Sequence, residues 1–127
     1  METTPSGLLL SRDLMFTVKI VSTARELGRT VRAVGRVEQA EAFLTEHRPR
    51  AVFVDLAAGD LVAPESLAKL MATAPDVPFL AFGPHVDADA LEAARAAGCR
   101  EVMPRSKFTL KLPDLIRTYL GDAPAAG

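Results

Sequence analysis

The run Ala51-Val52-Phe53-Val54-Asp55-Leu56 constrains the fold of this chain more than any other stretch. It is almost wholly apolar, it ends on a carboxylate, and it breaks into Ala57-Ala58-Gly59-Asp60. An apolar run with Val and Phe inside and turn residues behind it predicts a buried strand. A strand buried on both faces belongs to a parallel sheet covered by helices on each side. Asp55 then lies at the carboxyl end of a central strand, the edge where open α/β sheets place their sites.

The flanking sequence alternates strand and helix patterns. Gly7-Leu8-Leu9-Leu10-Ser11 predicts a first strand. A helix follows from Leu14 to Leu27, with Asp13 or Ser11 as cap, Leu14, Val18, Val21 and Ala24 or Arg25 recurring at helical spacing, and Gly28 closing it. Thr30-Val31-Arg32-Ala33-Val34 alternates and suits a strand near the sheet edge. Val37, Ala40, Phe43 and Leu44 share one face of a second helix, which Pro49 stops. Pro64-Glu65-Ser66 opens a third helix, with Leu67, Leu70 and Met71 inward. Val77-Pro78-Phe79-Leu80-Ala81-Phe82 is a second strongly apolar strand, and Ala88 to Gly98 an Ala-rich helix. Glu101-Val102-Met103 predicts a short fifth strand. Leu112, Leu115, Ile116, Tyr119 and Leu120 mark a last helix, with Pro113 in its first turn. The sum is an α/β three-layer sandwich around a five-stranded parallel sheet. Residues 7–120 form one domain in this reading, and 1–6 and 121–127 form flexible tails.

Composition excludes several function classes. The 127 residues suffice for one core and are too few for two domains. A net charge of −1 gives no bulk electrostatic case for nucleic acid or an anionic membrane. No apolar run approaches the ~20 residues of a membrane span, and the N-terminus lacks the basic start of a signal peptide. A cytoplasmic setting is expected. The single cysteine, Cys99, permits no internal disulfide and no thiolate metal site. No Gly-rich nucleotide-binding motif is present.

The element order and size resemble the response-regulator receiver family, from Gly7 to Leu120. Val52-Phe53-Val54-Asp55-Leu56, Val77-Pro78-Phe79-Leu80-Ala81-Phe82 and Ala93-Ala94-Arg95-Ala96-Ala97-Gly98 running into Glu101-Val102 carry the resemblance. It implies the flavodoxin-like strand order 2-1-3-4-5. It also implies an aspartate after the third strand that accepts a phosphoryl group, a position Asp55 matches. The family's acidic pair after the first strand holds magnesium; the corresponding residues here are Ser11 and Arg12, with Asp13 one place later. Gly83 stands where the family has Thr or Ser. Arg105 stands nearest to the family's lysine, followed by Ser106 in place of proline.

These departures bear on the chemistry. Magnesium is held by carboxylates, water and phosphate oxygens, and Ser11 with Arg12 removes anions and adds a cation. An inward Arg12 would take the metal's place and pair with Asp55. The alternative partner for Asp55 is Arg105. Phosphoryl transfer rests on positioning and charge neutralisation, so a pocket without metal would be slow. The expected function is therefore a stand-alone, degenerate receiver-like signalling module with no catalytic role and no cofactor. No output domain is expected after the last helix. Such a module acts through another signalling protein or through self-association as a homodimer. Its expected partner face comprises the fourth helix, fifth strand and last helix, with Arg95, Arg105, Lys107 and Tyr119 as contacts. A second reading is a working receiver phosphorylated on Asp55, with Asp13 and Asp55 binding magnesium. A third is a small flavodoxin-like enzyme or ligand-binding module using Asp55 and His85.

The other candidates have plainer explanations. Asp87 beside His85 suits a cap for the Ala88 helix, as Asp13 suits a cap for the first. His47 suits a cation near a helix C-terminus. Cys99 suits a small buried apolar residue. Arg100, Arg105, Lys107 and Lys111 make a basic patch open to either an acidic partner or solvent.

Overall fold

Burial ranks the strands and so explains their order. Strands β1 (Gly7–Leu10), β3 (Ala51–Asp55) and β4 (Phe79–Gly83) are buried along their whole length, while β2 (Val31–Val34) and β5 (Glu101–Pro104) are only partly buried. The first three are central and the last two are edges in a five-stranded parallel sheet of order β2-β1-β3-β4-β5. The computed structural model describes residues 6–121. The helices are α1 (Leu14–Glu26), α2 (Val37–Glu46), α3 (Pro64–Thr73), α4 (Ala88–Ala97) and α5 (Arg105–Leu120), with a short 3-10 turn at Gly59–Val62.

Successive strand residues point to opposite faces, which splits the core in two. Leu8, Leu10, Val52, Val54 and Ala81 pack with residues of α2, α3 and α4. Leu9, Phe53, Leu80, Phe82 and Met103 pack with Ile20 and Ala24 of α1 and with Phe108, Leu112, Ile116 and Leu120 of α5. The three expected layers are thus present. At the end of α4, Gly98 adopts φ +112°, a left-handed conformation that a side chain would strain.

Three expectations need correction. Helix α1 meets only part of its predicted face: Val21 and Ala24 lie inward as expected, but with Ile20, Phe16 and Leu27 on the same core. Leu14 and Val18 are 78% and 57% exposed. The i, i+4 series Phe16–Ile20–Ala24 wins because Phe16 gives the series a large aromatic anchor. Helix α5 starts at Arg105, so Pro113 lies inside it and not in its first turn. Phe108 and Leu112 are both buried on the α5 face that meets the sheet, and their packing offsets the hydrogen bond Pro113 cannot make. Strand β4 starts two residues late, at Phe79, because Pro78 has no N–H for the ladder. Pro78 still accepts at its carbonyl from Val52 N–H at 2.9 Å.

Ser6 and Gly121, assigned to tails by sequence, are anchored. Ser6 N–H donates to the Thr30 carbonyl at 2.8 Å. Arg29 Nε and Arg50 Nη1 donate to the carbonyls of Gly121 and Leu120 at 3.1 and 3.2 Å, closing the C-terminal end of α5. The rest of both predicted tails, 1–5 and 122–127, lies outside the described residues.

Candidate functional site

Parallel pairing of β1 with β3 and of β3 with β4 brings three chain segments to one edge of the sheet. Asp55 ends β3 there with only 1% of its surface exposed. Buried carboxylates need donors, and Asp55 has three. Ser11, just past β1, donates from Oγ to Oδ2 at 2.9 Å. The Ala57 N–H donates to Oδ1 at 3.0 Å, a local turn contact. Arg105, the first residue of α5, donates from Nη2 to Oδ1 at 3.3 Å.

Arg105 also reaches the start of α1. Its Nη1 lies 3.6 Å from Asp13 Oδ2. Asp13 caps α1 with its other oxygen, which accepts from Phe16 N–H at 3.0 Å. One aspartate therefore fills both roles weighed for it, helix cap and pocket carboxylate. The Asp13 N–H in turn donates to Ser11 Oγ at 3.1 Å. The guanidinium lies with its carbon 5.0 Å from the centre of the Phe16 ring, a cation–π distance. Its Nε is enclosed and has no hydrogen-bond partner.

Of the two partners left open for Asp55, Arg12 does not enter this pocket and Arg105 does. Its Nε donates to the Gly35 carbonyl at 3.0 Å and its Nη1 to Asp60 Oδ1 at 2.7 Å, in an exposed pair. The Arg12 guanidinium holds the Asp60 carboxyl below the usual range, through hydrogen bond and charge together. The two arginines divide the work. Arg12 ties the β1–α1 and β3–α3 loops together outside, and Arg105 holds Asp55 inside. The reason is position: Asp60 lies in the 3-10 turn beyond Asp55, a feature the sequence reading treated as an ordinary break.

Gly83 ends β4 beside Asp55. A Cβ at this position would sit 3.1 Å from Leu56 Cβ and 3.4 Å from its Cδ1. The space a hydroxyl-bearing side chain would use is therefore occupied by Leu56. Four phenylalanines form the floor. Phe82 and Phe108 stack at 4.1 Å, Phe53 meets Phe108 edge-on at 5.8 Å, and Phe16 lies 5.0 Å from Phe82. Phe16, Leu56 and Asp60 are the site's neighbours that sequence reasoning missed. Phe16 had a signal, its spacing of four from Ile20, whereas Leu56 and Asp60 had none.

The remaining candidates are dispersed. His85 is exposed, and Asp87 accepts from the Ala90 N–H at 3.1 Å as the cap of α4. His47 follows α2 with its ring 4.9 Å from that of Phe43. Burial pushes the Cys99 thiol up to about 11, so it is protonated at neutral pH. Arg95 pairs along its own helix with Glu92 at 3.2 Å, and Lys107 is exposed. Tyr119 hydrogen-bonds the Glu101 carboxylate of β5, so its hydroxyl is engaged within the fold. Arg105, expected on the partner face, turns into the pocket. A nearby groove of about 200 Å³ is lined by Leu56, Gly59, Val62 and Ala93 among others, and includes neither Asp55 nor His85.

The magnesium that the family resemblance implies does not fit this donor set as it stands. Asp13 and Asp55 are the carboxylates available, and both face the same guanidinium. A divalent ion between them would have to displace a fixed positive charge. Among the described residues, no three His, Cys, Asp or Glu side chains are grouped so as to hold a metal ion.

Comparison with known proteins places the fold. No protein-family model matches the chain, and no curated protein matches it either. Solved receiver structures do. A receiver domain of a sensor histidine kinase from Pseudomonas aeruginosa PAO1, solved with magnesium in its active-site cleft, superposes with a TM-score of 0.78 at 19% identity, over 94% of this chain and 100% of that one. A response regulator from Thermotoga maritima gives 0.76 at 17%, over 94% and 100%. A receiver protein from Burkholderia phymatum gives 0.75 at 21%, over 96% and 99%. The fold is that of response-regulator receiver domains. No helix among the described residues is long and apolar enough to cross a membrane.

Proposed function

We propose that this protein is a receiver-like signalling module that works through protein–protein contact, with an Asp55 site that no longer serves as a magnesium-dependent phosphoryl acceptor. The observation that carries this reading is the engagement of Asp55. Its Oδ2 accepts from Ser11 and its Oδ1 from Arg105, which also faces Asp13. Phosphoryl transfer to a carboxylate needs a free oxygen as nucleophile and cations around the incoming phosphoryl oxygens. Here the carboxylate is already paired from within, and a divalent ion would have to compete with the Arg105 guanidinium.

Contact with a partner also has surface support. Leu14, Met15 and Val18 are exposed together on α1, and Leu110 is exposed on α5. Exposed apolar side chains gathered on one helix suit a protein interface. The partner is another signalling protein or a second copy of this chain. On the α4–β5–α5 face, Lys107 is exposed and Arg95 is exposed beside its partner Glu92.

The test is incubation of the chain with magnesium and a small acyl phosphate, read by intact-mass spectrometry. The proposal predicts no phosphoryl adduct on the wild type. A stoichiometric, hydroxylamine-sensitive adduct that disappears in Asp55→Asn would overturn it.

A further inference from the structure

We infer that the Arg105 guanidinium is the resident cation of the Asp55 site, and that it excludes a divalent metal ion from two carboxylates that would otherwise hold one. This rests on the reading of the site given above and adds a cause to it.

Two carboxylates from different chain segments converge on one guanidinium. Asp55 Oδ1 lies 3.3 Å from Nη2 and Asp13 Oδ2 lies 3.6 Å from Nη1. The Ser11 hydroxyl touches Asp55 on its other side at 2.9 Å. Without the guanidinium, this edge would present two anions and a hydroxyl, all oxygen donors of the hard type that magnesium and manganese prefer. Like charges held this close repel unless a cation lies between them. Arg105 supplies that cation.

The arginine is built in. Its guanidinium faces the Phe16 ring at 5.0 Å, and its Nε is enclosed by the protein. A side chain that merely skirted the surface would leave Nε solvated. The chain has replaced an exchangeable divalent ion by a covalently attached monovalent one. Its site charge is thereby independent of divalent ion concentration.

The experiment measures Mn²⁺ binding to the full chain by loss of the free-ion electron paramagnetic resonance signal. Wild type, Arg105→Gln, Arg105→Ala and each Arg105 variant combined with Asp55→Asn are compared, with folding checked by circular dichroism. The wild type is expected to show no saturable binding at millimolar Mn²⁺. The Arg105 variants are expected to bind one ion at least about tenfold more tightly, since removal of one positive charge leaves two facing carboxylates. Asp55→Asn should abolish that gain. A variant that folds only when Mn²⁺ is present also supports the inference, and one that Mn²⁺ does not fold overturns it. Equal binding with and without Arg105 overturns it as well. A phosphorylated wild type would sink the proposed function, whereas equal Mn²⁺ binding sinks only this inference.

Discussion

Arg105 and Asp55, fifty positions apart, meet through a hydrogen bond of 3.3 Å at the carboxyl edge of the sheet. The contact joins the end of a central strand to the first residue of the last helix. Because the same guanidinium faces Asp13, three segments are tied at one point.

Arg105→Ala should therefore destabilise the fold more than its surface position suggests. Loss of a charged partner from a buried carboxylate predicts about 1–3 kcal/mol, less than for a fully buried pair because Arg105 is partly exposed. Arg12→Ala breaks an exposed pair and should cost about 0–1 kcal/mol. Urea denaturation of the two variants measures the order. Equal losses would contradict the assignment of Arg105 to the buried carboxylate and of Arg12 to the exposed one.

Gly83→Thr should not restore a receiver-type hydroxyl at no cost. Its Cβ would press on Leu56, and overpacking of this kind costs about 1–3 kcal/mol. Leu56→Ala removes the Cγ and Cδ1 contacts but keeps the Cβ at 3.1 Å, so it should relieve part of that loss. A double-mutant cycle in which the two changes simply add would show that Leu56 does not occupy the space.

Phe108 stacks on Phe82 and meets Phe53 edge-on beneath the site. Phe108→Ala should lower stability by about 3–5 kcal/mol. A loss well below this, measured by thermal or urea unfolding, would mean that the cluster is not what holds α5 to the sheet. That cluster also explains why α5 extends through Pro113.

Cys99 gives a pH prediction. Its thiol is raised from an ordinary 9.0 to about 11 by burial. The folded state thus holds the proton more tightly than the unfolded state. Stability is full below pH 9, falls as pH rises towards about 11, and stops falling from this source above it. Cys99→Ala should flatten that decline in unfolding midpoints. Thiol alkylation at pH 8 should also be much slower in the folded chain than in urea. Equal rates would show a thiol that is not protected.

The sheet was legible from sequence because strands buried on both faces leave long apolar runs. Val52-Phe53-Val54 and Phe79-Leu80-Ala81 admit little else. Asp55 was legible because it ends such a run. The surroundings of Asp55 were not, because side-chain direction in loops leaves no periodic trace. Arg12 and Arg105 were both plausible partners, and only the 3-10 turn carrying Asp60 decides between them. The α1 face was misread for a related reason. Leu14 and Val18 have helical spacing as good as that of Phe16 and Ile20, and the choice between them depends on where the sheet lies.

The most direct test of the account is a backbone amide NMR titration of the wild type with magnesium and then a small acyl phosphate. The Ala57 amide donates to the Asp55 carboxylate, the Asp13 amide donates to the Ser11 hydroxyl that reaches it, and Ser11 carries that hydroxyl. The account predicts that all three stay unshifted through millimolar additions of both reagents, because Arg105 already occupies the charge they would report on. Saturable shifts at these amides with magnesium, followed by a second set with the phosphodonor, would contradict it.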